Sequence, residues 1–480
     1  MSVRVAVVLL LSSFSSLALA QPTSALEVDA FEVRARAVVA RPGGLTAQEA
    51  GRLAGQRSLE VRLGQRESDV ARAELERAVV SYLPRLTVGA RYTRLSPLPS
   101  GRIGPDGANL VATPAGEGPL PPGAPLVGVP ASALSFPVIL DQYVLQAGVV
   151  VPLSDYLLRT GQSHTAAREG VAAAELTVTA RRRAASASGQ LAYHDWVRAT
   201  LAEIVADQGV EQAERHLSAA ETLRELDRAV DADIMTARAR VARAELARER
   251  ARSLVDVSEQ QLRTMLREPS GVLRIGDDPF RPLPNPGAES AAALTAEALR
   301  KRPELRALER TASSLANQSR AARGAGLPRL DAFANAYYAN PSPRVMPQRD
   351  EWRATWDVGA QLSWTPNDLP LASASSAALD ARRAAVELER ARLGDALRTE
   401  VVRAERALRE AHHASRVADR GLLAAREAYR ARLEQFRAGR LTSVELADAE
   451  TELAQARLEV IDARVGWRAA RVRLDYVVGR

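Results

Sequence analysis

The sequence predicts a mainly α-helical protein with a small β part, built as an internal tandem repeat. Three observations carry that reading: a duplicated order of motifs, four segments alternating apolar and polar residues, and two long runs without proline. Leu83-Pro84-Arg85-Leu86 recurs as Leu327-Pro328-Arg329-Leu330, and upstream Glu60-Val61-Arg62 aligns without a gap on Glu304-Leu305-Arg306, and Gln65-Arg66 on Glu309-Arg310. A second register holds downstream, where Asp233-Ile234 matches Glu445-Leu446 and Leu262 matches Leu474. Each copy is expected to run helix, strand, strand, very long helix, turn, long helix.

The chain opens on Arg4, the apolar run Val5 to Leu11 and Ala18-Leu19-Ala20, a small-x-small cleavage site before Gln21. Residues 1–20 therefore read as a secretory signal peptide. Residues 21–43 follow as an N-terminal segment, 44–268 as repeat 1, 269–293 as a linker and 294–480 as repeat 2. The linker is marked by Pro269-Ser270-Gly271 and by the stretch from Pro279 to Gly287. No later stretch approaches the ~18 consecutive apolar residues of a spanning helix, so any membrane crossing has to use strands. The absence of cysteine excludes disulfides, a thiolate metal site and a lipid-modified N-terminal Cys.

With 46% apolar and 26% charged residues the chain is not a disordered one. Its 65 basic and 58 acidic residues leave +7, and Lys301 is the sole lysine. Arginine and carboxylate alternate along the chain as they do on solvated helix faces, so nucleic acid is not an expected partner.

The strands come next. Trp356, Val358, Ala360, Leu362 and Trp364 fall on one face, with Asp357, Gly359, Gln361 and Ser363 on the other. Leu86, Val88, Ala90 and Tyr92 form a second apolar row, and Tyr143, Leu145, Ala147, Val149 and Val151 a third. Leu330 to Tyr338, with Ala332, Ala334 and Ala336, is the weakest of the four. Trp356 and Trp364 lie about 25 Å apart along an extended strand, a spacing that suits the two interfaces of an outer membrane, with Tyr92 and Tyr143 as further interface aromatics. A sandwich strand with one wet face would show the same alternation. Four strands cannot close a transmembrane barrel, whose smallest examples have about eight. Other copies of the chain must supply the remainder; three copies would give twelve strands, although the arithmetic does not fix that number. Ser96 to Ala133, rich in Pro and Gly, is expected to be an irregular outward loop, and Asn340 to Gln348 its shorter counterpart.

Asp155 to about Leu223 and Leu371 to about Phe436 contain no proline, so each can run as a helix of about 100 Å. Leu446, Ala449, Leu453, Ala456, Val460, Ala463, Trp467, Ala470, Leu474 and Val477 form a heptad seam on the last helix. A fainter copy runs from Ile234 through Ala237, Val241 and Ala244 to Leu262 and Met265, broken at Arg248. Such seams specify packing and leave function open.

Together with the two Leu-Pro-Arg-Leu strand entries and Arg302-Pro303-Glu304-Leu305, the stretch Gly439-Arg440-Leu441-Thr442-Ser443-Val444-Glu445-Leu446-Ala447-Asp448-Ala449-Glu450 resembles the TolC-like outer membrane efflux protein family over essentially the whole mature chain. The resemblance implies a homotrimer in a Gram-negative outer membrane, with a twelve-stranded barrel continued by a periplasmic tunnel of antiparallel coiled-coil helices. It also implies a passive exit duct for tripartite efflux or type I secretion, with a periplasmic adaptor and an inner-membrane pump as partners. The competing reading is a periplasmic or surface coiled-coil structural protein or adhesin that stays soluble without detergent.

In the family, paired acidic side chains ring the periplasmic entrance, and Glu445 and Asp448 match those positions. A ring of carboxylates in a narrow aqueous throat filters by charge; equally, acids in the first turns of a helix are favoured by its dipole. Where the family's closed channels use an Arg and a Tyr beside the gate, this chain has Leu441 and Phe436, with Arg440 displaced by one. The resemblance makes the turns adaptor-contact tips: Arg228, Val230 and Asp231 in the first, Gly439, Arg440, Leu441, Thr442 and Ser443 in the second. Asp231 or Asp233 is the expected cap of the helix after the first turn.

No enzyme, cofactor or metal site is expected. Gly161-Gln162-Ser163-His164-Thr165 lies inside a helical run and lacks the second glycine of a nucleophile elbow. His412 and His413 point about 100° apart on a helix, and His164, His194 and His216 are isolated. The cargo is not written in the sequence.

Overall fold

A computed structural model describes residues 30–97, 101–102, 109–112, 122–123, 127–130, 135–136, 139–226, 230–268, 270–287, 289–346, 348–438 and 440–480. The signal segment 1–20 lies outside the described residues. In chain order the helices are α1 (Ala30–Val38), α2 (Ala47–Arg57), α3 (Leu59–Val80), α4 (Leu153–Asp155), α5 (Gly161–Glu225), α6 (Asp231–Leu266), α7 (Ala291–Lys301), α8 (Pro303–Gly324), α9 (Asp368–Arg437) and α10 (Ser443–Val478). The strands are β1 (Arg85–Arg94), β2 (Gly101–Arg102), β3 (Asn109–Ala112), β4 (Val127–Pro130), β5 (Ser135–Phe136), β6 (Asp141–Val151), β7 (Arg329–Asn340) and β8 (Arg353–Ser363). The four principal strands and the paired long helices fall in the duplicated order expected from the repeat. No described helix is long and apolar enough to cross a membrane.

The chain divides into two compact units. One comprises Leu53–Ser188, Gly287–Ala407 and Val472–Arg480, and holds the sheet. Its four long strands pair antiparallel in the order β1-β6-β7-β8. Register carries Val88 opposite Ala147, Ala147 opposite Ala336, and Ala336 opposite Trp356, so the four apolar rows merge into one face. That face is bare: Val88 is 79% exposed, Trp356 74% and Leu362 71%. The other face carries the polar pairs. Asn335 Nδ2 donates to Asp357 Oδ1 at 2.8 Å, and the Phe333 ring covers Gly359, where a Cβ would stand 2.8 Å from the ring.

The structure corrects three sequence expectations. Ser96 to Ala133 is not irregular throughout: β3 pairs with β4 antiparallel, and β2 with β5, because Leu110-Val111 and Val127 to Val129 are strand-forming residues on either side of the Pro/Gly-rich middle. The first long helix does not start cleanly: after α4 the chain makes a π turn, Tyr156–Thr160, before α5. There the backbone of Leu158 lies so close to Gly324 that a Cβ on that glycine would sit 2.7 Å from Leu158 O, and Tyr156 Oη donates to Tyr82 O at 2.9 Å. Pro370, expected to precede the second long helix, is its third residue. It is tolerated because the first-turn N–H groups have no intrahelical acceptor.

The second unit comprises the described part of Met1–Arg52 with Gly189–Pro286 and Leu408–Arg471. Its helices pack side by side. Arg238 of α6 pairs with Glu221 of α5 at 3.3 Å, Gln208 of α5 with Arg457 of α10 at 3.1 Å, and Asp419 of α9 with Arg464 of α10 at 2.9 Å. α10 therefore lies between α5 and α9, with α6 on the far side of α5. Being flanked twice explains why the seam residues of α10 from Leu446 to Ala470 are buried except half-buried Ala463, with Ile461 and Val465 buried on a further side. The α6 seam is only partly covered: Ala237, Ser258 and Leu262 are buried, the rest half-buried.

The segment read as a linker is tied down within this unit. Leu45 bridges Ile275, Asp277 Oδ2 caps α2 by accepting from Ala47 N at 2.7 Å, and Arg464 Nη1 donates to Phe280 O at 2.6 Å. The crossing needs two glycines, since a Cβ on Gly44 would stand 2.7 Å from Gly276 N.

Candidate gate at the helix turns

α10 starts with a capping box. Thr442 Oγ1 accepts from Glu445 N at 3.3 Å, while Glu445 Oε2 accepts from Thr442 N at 2.9 Å and from Thr442 Oγ1 at 2.7 Å. These donors hold the Glu445 carboxyl below the usual range. α6 repeats one half of the box in the matched position, since Val230 has no side-chain acceptor. Asp233 Oδ2 accepts from Val230 N at 3.1 Å, and Asp233 N donates back to Val230 O at 2.9 Å. Of the two aspartates expected as caps, Asp233 does the work from the third helical position; Asp231, the first helical residue, accepts from Arg224 Nε at 2.8 Å.

One turn further along α10 the environment changes. Asp448 is exposed and makes no hydrogen bond or ion pair among the described residues. Glu450 is half-buried and held from two helices: His216 Nε2 of α5 lies 2.6 Å from Glu450 Oε2, and Tyr429 Oη of α9 donates to Glu450 Oε1 at 3.3 Å. Burial, then the Glu450 charge, raises the Tyr429 phenol above its ordinary pKa. Arg432 of α9 and Glu452 of α10 add a pair at 3.3 Å. The spacing of Glu450 on the helix gives no hint of this node, whose histidine is 234 positions away in the chain.

Among the gate neighbours, Phe436 and Leu441 are half-buried and Arg440 is exposed. Of the tip residues, Val230 is 63% exposed and Asp231, Thr442 and Ser443 are exposed, while Arg228 and Gly439 lie outside the described residues.

At the other unit's sheet, the aromatics collect near the ends of the strands. Tyr92 and Tyr143 rings are 5.1 Å apart, Tyr143 and Trp352 5.9 Å, and Tyr338 stacks on Trp352 at 4.9 Å. Nothing in the sequence pattern marks Trp352 or Tyr338 as part of this cluster: Trp352 precedes the alternating run, and Tyr338 ends the weakest strand. Toward the opposite end Trp364 Nε1 donates to Gly326 O at 3.2 Å, while its ring remains 53% exposed.

Residues 294–480 match the family model described as outer membrane efflux protein. The fold is that of solved outer membrane channels. The chain is similar to CmeC of Campylobacter jejuni at 14% identity and a TM-score of 0.71, covering 90% of this chain and 85% of that one. VceC of Vibrio cholerae is similar at 13% identity and 0.69, covering 90% and 96%, and the open-state channel MtrE of Neisseria gonorrhoeae at 19% and 0.65, covering 90% and 88%. No curated protein matches the chain in sequence.

Proposed function

With an outer membrane efflux protein domain in residues 294–480 and the fold of outer membrane channels along nine-tenths of the chain, we propose that this protein is the outer-membrane exit duct of a tripartite efflux or type I secretion system. It conducts passively what an inner-membrane pump and a periplasmic adaptor deliver. The observation that carries this is the four-stranded sheet with its apolar row outward and its outer edges, β1 and β8, unpaired among the described residues. Every Leu or Val on that face moved from water to lipid contributes about 1.5–3 kcal/mol, and edges without partners call for other copies. Three copies make a closed twelve-stranded barrel. A soluble coiled-coil adhesin would have to leave Trp356, Val358 and Leu362 in water, which the exposed face argues against.

Within this reading, the exposed turn residues Val230, Asp231, Thr442 and Ser443 meet the adaptor, with Arg228 and Gly439 beside them. Asp448, whose carboxylate is unengaged, is the charge filter; Glu445 serves the helix cap. The test is fractionation with the outer membrane and recovery of a cross-linkable or SDS-resistant trimer, for which a monodisperse soluble monomer is the opposing result. In planar bilayers, Asp448→Asn relieves block by multivalent cations while Glu445→Gln leaves it in place.

A further inference from the structure

Packing of the helix-turn unit leaves a recess of about 590 Å³ over α5, walled by α6 on one side and α10 on the other. It is half open to solvent, and its volume falls in the range of organic-ligand sites. It exists because the helices present small side chains there: Ala244, Ala247 and Ala251 from α6, Ala454 from α10 and Gly209 from α5. The α5 floor is mostly apolar, with Val205, Ala206 and Ala213 beside Gln212 and His216, and further polar groups stand on the walls.

On the α6 wall, Arg240 and Arg243 stand three residues apart, hence on one helix face. Among the described residues neither makes an ion pair or hydrogen bond. On the α10 wall, Glu450 is engaged by His216 and Tyr429, which leaves Asp448 as the one unengaged carboxylate of the lining. Two free guanidinium groups and one free carboxylate thus stand on opposite walls of a largely apolar recess. An anionic head between the arginines gains charge-assisted hydrogen bonds with planar donors already in place. Its apolar body displaces water from the alanine floor.

We infer that the recess is a binding site for amphipathic organic anions, seated with the acid group between Arg240 and Arg243 and opposed by the charge of Asp448. This deepens the duct reading, on which the site's relevance to cargo rests.

The full-length assembly in lipid nanodiscs is titrated with 8-anilinonaphthalene-1-sulfonate, and in parallel with N-phenyl-1-naphthylamine, which has the same aromatic body without the sulfonate. The sulfonate is expected to bind saturably. Arg240→Gln with Arg243→Gln should weaken it about tenfold or more, as loss of hydrogen bonds to a charged group does, with the neutral amine unaffected. Asp448→Asn should tighten the sulfonate by removing the opposing charge. Because neither arginine has a partner, their replacement leaves the fold intact, which the melting temperature checks. Sulfonate affinity unchanged in the double variant, or sulfonate and amine weakened alike, overturns the inference. Conductance recorded on the same preparations separates the two ideas. Conduction without a saturable, arginine-dependent sulfonate site ends the inference and spares the duct, whereas such a site in a non-conducting monomer does the reverse.

Discussion

At the scale of single residues, the two candidate gate acids separate by what their oxygens touch. Glu445 is spent on Thr442, as Asp233 is on Val230 in the matching turn. Thr442→Ala should accordingly leave conduction alone and speed amide exchange in the first turn of α10 about fivefold, the usual effect of losing a cap. The box also carries a pH dependence of definite sign. The Glu445 carboxyl is held below its ordinary pKa, so its stabilisation is complete above the ordinary carboxylate range and is lost as pH falls through the lowered value. His194 works in a higher window. It is 5% exposed, and burial followed by the Arg468 and Arg198 charges lowers it to about 4, so the fold holds it neutral while the unfolded chain protonates it below its ordinary pKa of 6.5. Stability should decline as pH drops from that value toward the folded one. Denaturation at about pH 7.5 and about pH 5 should reveal the difference, and His194→Gln should shrink it.

Elements show where the sequence could be read and where it could not. Trp356, Val358 and Leu362 betray their strand because a period of two is a local property, and the α10 seam from Leu446 to Ala470 because burial on two flanks leaves no position free for a charge. The segregation of Asp448 from Glu450 was invisible, since it depends on His216 and Tyr429 arriving from other helices. The π turn was invisible for a similar reason: Tyr156–Thr160 has an ordinary helical composition, and only the approach of Gly324 marks it. Gly324→Ala should therefore cost about 1–3 kcal/mol by forcing a Cβ against Leu158 O, read as a lowered melting temperature. Residues 269–293 read as a linker because Pro269, Gly271 and the stretch from Pro279 to Gly287 dominate the local statistics. The contacts of Ile275, Asp277 and Phe280 that order the segment all come from distant parts of the chain.

For the whole molecule, the sign of the sheet decides the environment. Its apolar row is bare and its polar row internally paired, the reverse of a sheet that covers a water-soluble core. Val358→Arg, in the middle of the bare row, should reduce folding into lipid vesicles by about 2–4 kcal/mol, whereas Gln361→Arg on the opposite face should be tolerated and change ion selectivity. On the proposed duct reading one chain supplies only part of a barrel, which has a further effect. If β1 of one copy must meet β8 of the next, a polypeptide altered at either rim spoils every ring it joins. Made in equal amount with the normal product and mixed at random among three places, it would leave about one ring in eight free of the defect. Lesions in these two strands should therefore behave as dominant alleles, whereas a chain too damaged to associate at all should be recessive.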